Sequence, residues 1–216
     1  CNKSKKMYNT DTNKTKDFFE NSYKNIIINE ERKKELLKIA DKIAINYVFN
    51  DSHININFIC THNSRRSQLG QVWCFFAAKY FNLNINALSG GTEATAFHRN
   101  TVQTLKEVGF TFTVEDFSHS NPKYKITCSD VDDSLLAFSK TYDNSVNTTP
   151  YIVLTTCNHA DEKCPFIPEA IHRFHLPYKD PKHSDGSPNQ EITYLKTNSE
   201  IASEMYFLFN EVKTLV

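Results

Sequence analysis

The chain has 216 residues, and its 25 Lys and Arg balance 25 Asp and Glu to a formal net charge of zero. Zero net charge excludes broad electrostatic capture of nucleic acid. A composition of 39% hydrophobic and 12% aromatic residues, with only 5 Gly and 7 Pro, excludes a disordered or repetitive chain.

Residues 1–25 are polar, rich in Lys and Asn and without apolar period, and read as a tail or tether. The initial Cys1 followed by a polar stretch suits the lipidated start of a mature bacterial lipoprotein, and a truncated chain would look the same. Leu36, Leu37, Ala40, Ile43, Ala44, Tyr47 and Val48 recur at helical spacing and predict an amphipathic helix over 30–48. The two together make an N-terminal arm, 1–50, ahead of a main domain over 51–216. Alternation of Ile54, Ile56 and Phe58 predicts a first strand at 54–59. A short polar loop, Cys60 to Ser67, leads into a helix near 67–81 with Leu69, Val72, Trp73, Phe76 and Ala77 inward. A strand near 85–89, the Gly90-Gly91 pair, a helix near 98–108 and an extended run at 110–114 follow. Residues 118–150 are polar and read as an insertion with one strand or hairpin at 134–142. Strands are expected at Tyr151–Thr155 and 172–177, and Ile201, Met205, Leu208, Val212 and Leu215 mark a C-terminal amphipathic helix. Strands alternating with helices imply an α/β fold with an open parallel sheet. Ligands of such sheets sit at the carboxyl ends of strands beside helix N-termini, where Cys60 falls. No uninterrupted apolar run approaches the ~18–20 residues that span a bilayer.

Six cysteines, Cys1, Cys60, Cys74, Cys128, Cys157 and Cys164, invite a disulfide framework, but their spacing is irregular and the chain long enough for a core without one. In Cys60-Thr61-His62-Asn63-Ser64-Arg65-Arg66-Ser67, an arginine follows a cysteine by six positions between a strand and a helix. The loop amides of Thr61, His62, Asn63, Ser64, Arg65 and Arg66 can converge on one point beside the helix dipole and cradle a tetrahedral oxyanion. Arg66 can close the cradle with its fork, the same field favours a nucleophilic thiolate at Cys60, and Ser67 can donate to that sulfur. Asn63 tolerates the left-handed backbone that so tight a loop needs. Cys157 and Cys164 could be two packed thiols, part of a zinc site with His159, His172 or His175, or a redox pair; zinc ligand pairs are ordinarily closer. Cys74, between Trp73 and Phe75, reads as a core thiol. Cys128 carries no assignment, Asp161 and Glu162 read as exposed loop, and Asp180-Pro181 alone is a turn dipeptide.

The stretch FICTHNSRRSQ resembles the phosphate-binding loop of low-molecular-weight protein tyrosine phosphatases and the related thioredoxin-coupled arsenate reductases. The likeness continues through LSGGTEATAFHRNTVQTLKEVGF (88–110), TTCNHADEKCPFIP (155–168) and LPYKDP (176–181), in the family's order. It implies a four-stranded, flavodoxin-like sheet flanked by helices, with the arm outside it. It also implies that Cys60 attacks an oxyanion held by Arg66, with Asp180 as general acid. Cys157 and Cys164 match the reductase relay, which ordinary phosphatases do not need, so the resemblance points first to arsenate reduction with a thioredoxin-type electron donor and no bound cofactor. The alternative is a phosphatase acting on phosphate monoesters through Cys60, Arg66 and Asp180, and a third reading is an oxyanion or metal sensor on the same scaffold. A monomer in the cytoplasm is expected, or a membrane-anchored lipoprotein if Cys1 is acylated. His62 stands where the family often has Gly, Arg65 where many members have Cys, and Gln71 where such reductases carry a Glu that helps bind potassium.

Overall fold

The computed structural model describes residues 13–163 and 166–216, so the expectations that fell on Cys1 and Cys164 lie outside the described residues. The parallel sheet is built from β1 (Ile54–Cys60), β2 (Ile85–Gly91), β6 (Tyr151–Thr155) and β7 (Ala170–His175) in the order β2-β1-β6-β7. Every residue of β1 and β6 is buried. That burial explains the nearly continuous apolar reading of YIVLT, since a central parallel strand is covered on both faces. Ile56 and Phe58 face the larger core, and Ile59 and Cys60 belong to a smaller one on the site side.

Helix α3 (Arg66–Tyr80) lies directly on β1 and β2. A Cβ on Gly70 would sit 2.4 Å from the Phe58 ring, so only glycine allows this approach. Helix α4 (Arg99–Glu107) and the long α6 (Gln190–Leu215) close the same side. Trp73 Nε1 donates to Asn198 Oδ1 at 2.7 Å, and the Asn198 amide donates to the Thr104 carbonyl at 3.2 Å. This buried polar link joins α3, α6 and α4, and it leaves the indole N–H satisfied. Helix α2 (Glu30–Phe49) is capped by Asn29, whose side chain accepts from Arg32 N at 2.9 Å. It packs against α6, as the arm helix expected over 30–48 should.

The structure departs from the sequence reading in three places. Residues read as a tether include α1 (Lys14–Asn25), which packs on α6. Phe19 is fully buried and stacks on Trp73 with ring centroids 5.5 Å apart. The helix is anchored by an aromatic cluster of Phe18, Phe19 and Tyr23 rather than by a long apolar stripe, which is why no period announced it. The insertion, expected to hold one strand or hairpin at 134–142, completes a three-stranded antiparallel sheet instead: β3 (Thr111–Asp116), β4 (Lys123–Cys128) and β5 (Val131–Ala137). After β5 the chain runs beside Gly91, which donates to the Lys140 carbonyl at 2.8 Å and accepts from Tyr142 N at 3.0 Å. Finally, α6 begins at Gln190, well before Ile201. Cys74 and Cys128 are both buried in the main core; desolvation pushes the Cys128 thiol up to about 11 and the Cys74 thiol higher still.

Candidate active site

β1 ends on Cys60, and the next residues turn at once into α3. The backbone carbonyls of the turn all point outward to donors. The Thr61 carbonyl accepts from Glu93 N at 2.9 Å and Thr92 Oγ1 at 3.1 Å. The His62 carbonyl accepts from Thr95 Oγ1 and Ser139 Oγ, that of Asn63 from Gln68 Nε2, and that of Ser64 from His98 N. Carbonyls fixed in this way leave the loop amides available to face the centre, the polarity an oxyanion requires. Gly91 seals the rim: a Cβ there would meet Asn63 N and the Thr61 carbonyl at 2.8 Å.

Asn63 has φ +45° and is fully buried. Its side chain braces the turn, with Nδ2 donating to Ser67 Oγ at 2.8 Å and Oδ1 accepting from Lys140 N at 2.9 Å and Gln68 Nε2 at 3.1 Å. Ser67 Oγ lies 3.0 Å from Cys60 Sγ. Because Asn63 occupies a lone pair of that hydroxyl, its proton is free to point at the sulfur. Asn63, Ser67 and Cys60 thus form one directed chain.

The two arginines go different ways. Arg66 donates through Nη2 to Asp180 Oδ2 at 2.7 Å and through Nη1 to the Tyr178 carbonyl at 3.1 Å. Asp180 Oδ1 accepts from Lys182 N at 3.0 Å and caps the 3-10 turn Pro181–Ser184. Cys60, Ser67, Arg66 and Asp180 are therefore connected around one loop. Arg65 is drawn away: Nε donates to Tyr194 Oη at 2.6 Å and Nη2 to Asp185 Oδ2 at 2.7 Å. Its guanidinium is committed to that pair, so Arg65 offers the loop its backbone rather than its charge. Burial alone would raise the Asp185 carboxyl, but hydrogen bonds from Tyr194, Arg65 and Asn100 hold it below the usual carboxylate range. Burial, with Arg65 nearby, lowers the His98 imidazole beside them. The His62 side chain is exposed, 3.9 Å from the Glu93 carboxylate. Tyr194, Asp185, Asn100 and His98 were not legible in advance, since 129 residues separate Arg65 from Tyr194.

Cys157 follows β6 and is buried. It shares the small core with Cys60, together with Ile59, Leu88, Tyr151, Val153 and Ala160. Both thiols are free. Cys157 Sγ lies 3.5 Å from Thr61 Oγ1, the hydroxyl of the residue next to Cys60. Helix α5 (Asn158–Lys163) starts immediately after it. Gln71 uses both ends of its amide, donating to the Ala87 carbonyl at 3.0 Å and accepting from Ser89 Oγ at 2.6 Å. Among the described residues no group of three or more His, Cys, Asp or Glu is arranged to hold a metal, and no helix is long and apolar enough to cross a membrane.

No family model matches the chain. It is 31% identical to an arsenate reductase of Brevibacillus brevis over 137 residues, 63% of this chain and 84% of that protein. It is 28% identical to an arsenate reductase of Bacillus subtilis over 151 residues, 69% of this chain and 91% of that one. Among solved structures, a YwlE mutant from Bacillus subtilis matches 74% of this chain and 99% of its own, with TM-score 0.52 and 19% identity. A low-molecular-weight protein tyrosine phosphatase from T. tengcongensis matches 73% and 98%, with TM-score 0.51 and 19% identity. The structural matches share the fold of the four-stranded sheet and its helices, and the sequence relatives, the first of them matched over most of its length, go further: this chain belongs to the arsenate reductase family and is an enzyme of that type.

Proposed function

We propose that the protein reduces arsenate to arsenite through Cys60, Cys157 and Cys164, with a thioredoxin-type protein as electron donor and no bound cofactor. The observation that carries this reading is the second free thiol, Cys157, in the same small core as Cys60 and 3.5 Å from the hydroxyl of Thr61. A phosphatase has no use for it.

Arsenate sits in the amide cradle of residues 61–66, its charge met by Arg66. Cys60 attacks arsenic, and Asp180 protonates the departing hydroxide, which leaves as water. Cys157 then attacks Cys60 Sγ. The S–S bond forms as the S–As bond breaks, its electron pair stays on arsenic, and arsenite departs. Cys164 next attacks Cys157 and moves the disulfide outward to where a partner can reduce it. The six residues of α5 lie between the two thiols. A helix of that length spans about 9 Å, whereas disulfide Cα atoms lie within about 7 Å, so the proposed last exchange is expected to proceed with unwinding of α5. The reaction suits a monomer in the cytoplasm, where thioredoxin is found, with 51–216 as the catalytic domain and 1–50 as an arm.

The test supplies thioredoxin, its reductase and NADPH. Arsenate-dependent NADPH consumption is expected; its absence from active, aryl phosphate-hydrolysing protein would sink the reductase reading. Cys60→Ser abolishes both activities, while Cys157→Ser stops reduction and spares ester hydrolysis. The second reading, a phosphatase, draws on the Arg66–Asp180 pair at 2.7 Å, which serves either reaction.

A further inference from the structure

Before a thiol can attack, it must lose its proton, and the residues packed around Cys157 in the small core are mostly apolar. Thr61 offers a way out. Its Oγ1 lies 3.5 Å from Cys157 Sγ and 3.2 Å from Nδ1 of His159, which stands exposed on α5. The three groups form a line from a buried sulfur, through a hydroxyl, to an imidazole in water. Cys157 Sγ also accepts from Ala160 N at 3.4 Å, which leaves Thr61 as the side-chain acceptor in reach of its proton.

We infer that His159 acts through Thr61 as a positioning base for Cys157, taking up the thiol proton that must leave before the second step. The inference rests on Cys157 serving as the second thiol of the relay. In the resting arrangement Cys157 S–H donates to Thr61 Oγ1, and the Thr61 hydroxyl donates to Nδ1 of a neutral imidazole. Moving both protons one place gives a thiolate that accepts from Thr61 O–H and an imidazolium protonated at Nδ1. The thiolate attacks Cys60 Sγ, the electron pair of the S–As bond passes to arsenic, As(V) becomes As(III), and two sulfurs become a disulfide. The proton on His159 then passes to water.

The charges around the imidazole are accounted for. On α5 itself stand Asp161, Glu162 and Lys163. Asp161 is paired with Arg173 of β7 at 2.6 Å and lies 3.5 Å from His175 of the same strand. Across the loop, His62 faces Glu93 at 3.9 Å. Thr61 is the hydrogen-bond partner that the structure gives His159 among the described residues.

The experiment is a single turnover of stoichiometric enzyme with arsenate and no reductant, acid-quenched, with the disulfide that Cys157 forms, to Cys60 or carried on to Cys164, quantified by mass spectrometry. In His159→Gln the rate at pH 7 is expected to fall about tenfold, less than for a base in direct contact because this one is exposed and acts through a hydroxyl. The acid limb of the pH–rate profile should change with it. External imidazole should restore the rate of His159→Ala in proportion to its concentration, which a merely structural role would not allow. Thermal melts of both variants control for folding. Equal rates and profiles in wild type and His159→Gln, or no imidazole rescue, overturn the inference. A wild type that forms no disulfide with arsenate overturns the relay reading instead. Alkylation of Cys157 by iodoacetamide in the Cys60→Ser background then decides the His159 coupling separately: a roughly tenfold slower reaction at pH 7 on adding His159→Gln supports it, and an unchanged rate refutes it.

Discussion

Lys140 is only 2% exposed, and its ammonium lies 4.8 Å from the centroid of the Phe138 ring with no hydrogen-bond partner among the described residues. Burial lowers the amine to about 8 from its ordinary 10.5. Between those values the unfolded chain binds more protons than the folded one, so this contribution improves as pH rises through the window. Below pH 8 the penalty is fully present, on the order of 3 kcal/mol. Lys140→Met keeps the stem and removes the charge. In urea denaturation it should be more stable than wild type at pH 7 by about 1–3 kcal/mol, and the gain should shrink by pH 10.5. A gap that does not change with pH would refute the account. A second residue-scale prediction concerns Tyr194, whose hydroxyl donates to Asp185 Oδ1 at 2.7 Å and accepts from Arg65. Tyr194→Phe should cost about 1 kcal/mol or somewhat more. Asp185 is held low, so the part of stability it supplies is present above the ordinary carboxylate range and lost as pH falls through its folded value. The acid side of the stability profile should therefore flatten in the variant, as read by thermal melts from pH 3 to 7.

At the scale of elements, α1 carries the clearest structural prediction. Phe19 is fully buried, stacked on Trp73 and edge-on to Phe76 at 5.1 Å. Phe19→Ala should destabilise by about 3–5 kcal/mol and expose Lys14–Asn25 to limited proteolysis ahead of the rest of the chain. Cleavage that proceeds as in wild type would mean that α1 is held by something other than that ring. The same helix shows where the sequence ran out. The strands 54–59 and 151–155 were legible because central parallel strands must be apolar, and the loop because Cys60, Arg66 and Ser67 have a spacing tied to one geometry. α1 was not, because an aromatic cluster makes no period. The β3–β5 sheet was only partly legible, since its strands show solvent one face and alternate weakly. The partners of Arg65 lie on α6 and after the Pro181–Ser184 turn, with Asn100 of α4 donating to Asp185 in turn, and no local pattern joins them.

Across the whole molecule, the arm and the site are tied by one network of buried and half-buried groups. Arg32 of α2 holds Glu204 of α6 with Nε at 2.7 Å and Nη2 at 2.9 Å, and reaches the Pro177 carbonyl at 3.2 Å. Tyr178 Oη donates to Glu204 Oε2 at 2.6 Å, and its own carbonyl accepts from Arg66. Helix α2, outside the resemblance, thereby helps to fix the segment that carries Asp180, acting through Glu204 of α6 and the Pro177 carbonyl. Glu204→Gln should destabilise by about 1.5–3 kcal/mol, because it leaves a half-buried guanidinium without its carboxylate. It should also lower kcat for aryl phosphate more than it raises KM, because Asp180 loses its support. The double variant Arg32→Met, Glu204→Leu should recover much of the stability. A Glu204→Gln enzyme with unchanged kcat would show that the 177–180 segment holds its own shape.

The anion that Arg66 holds is Asp180 itself. On the proposed reading, an incoming oxyanion has to displace an internal competitor bonded at 2.7 Å. Binding is an exchange, and exchange selects by charge density. Chloride or nitrate brings one charge and little fit for the inward amides, less than the carboxylate gives up. A tetrahedral dianion brings a second charge and enough oxygens for fork and amides together. On the mechanism proposed above, the abundant monovalent ions of any aqueous compartment should be turned away, and the carboxyl proposed to act on the leaving group would be set free by the arrival of the ion that needs it.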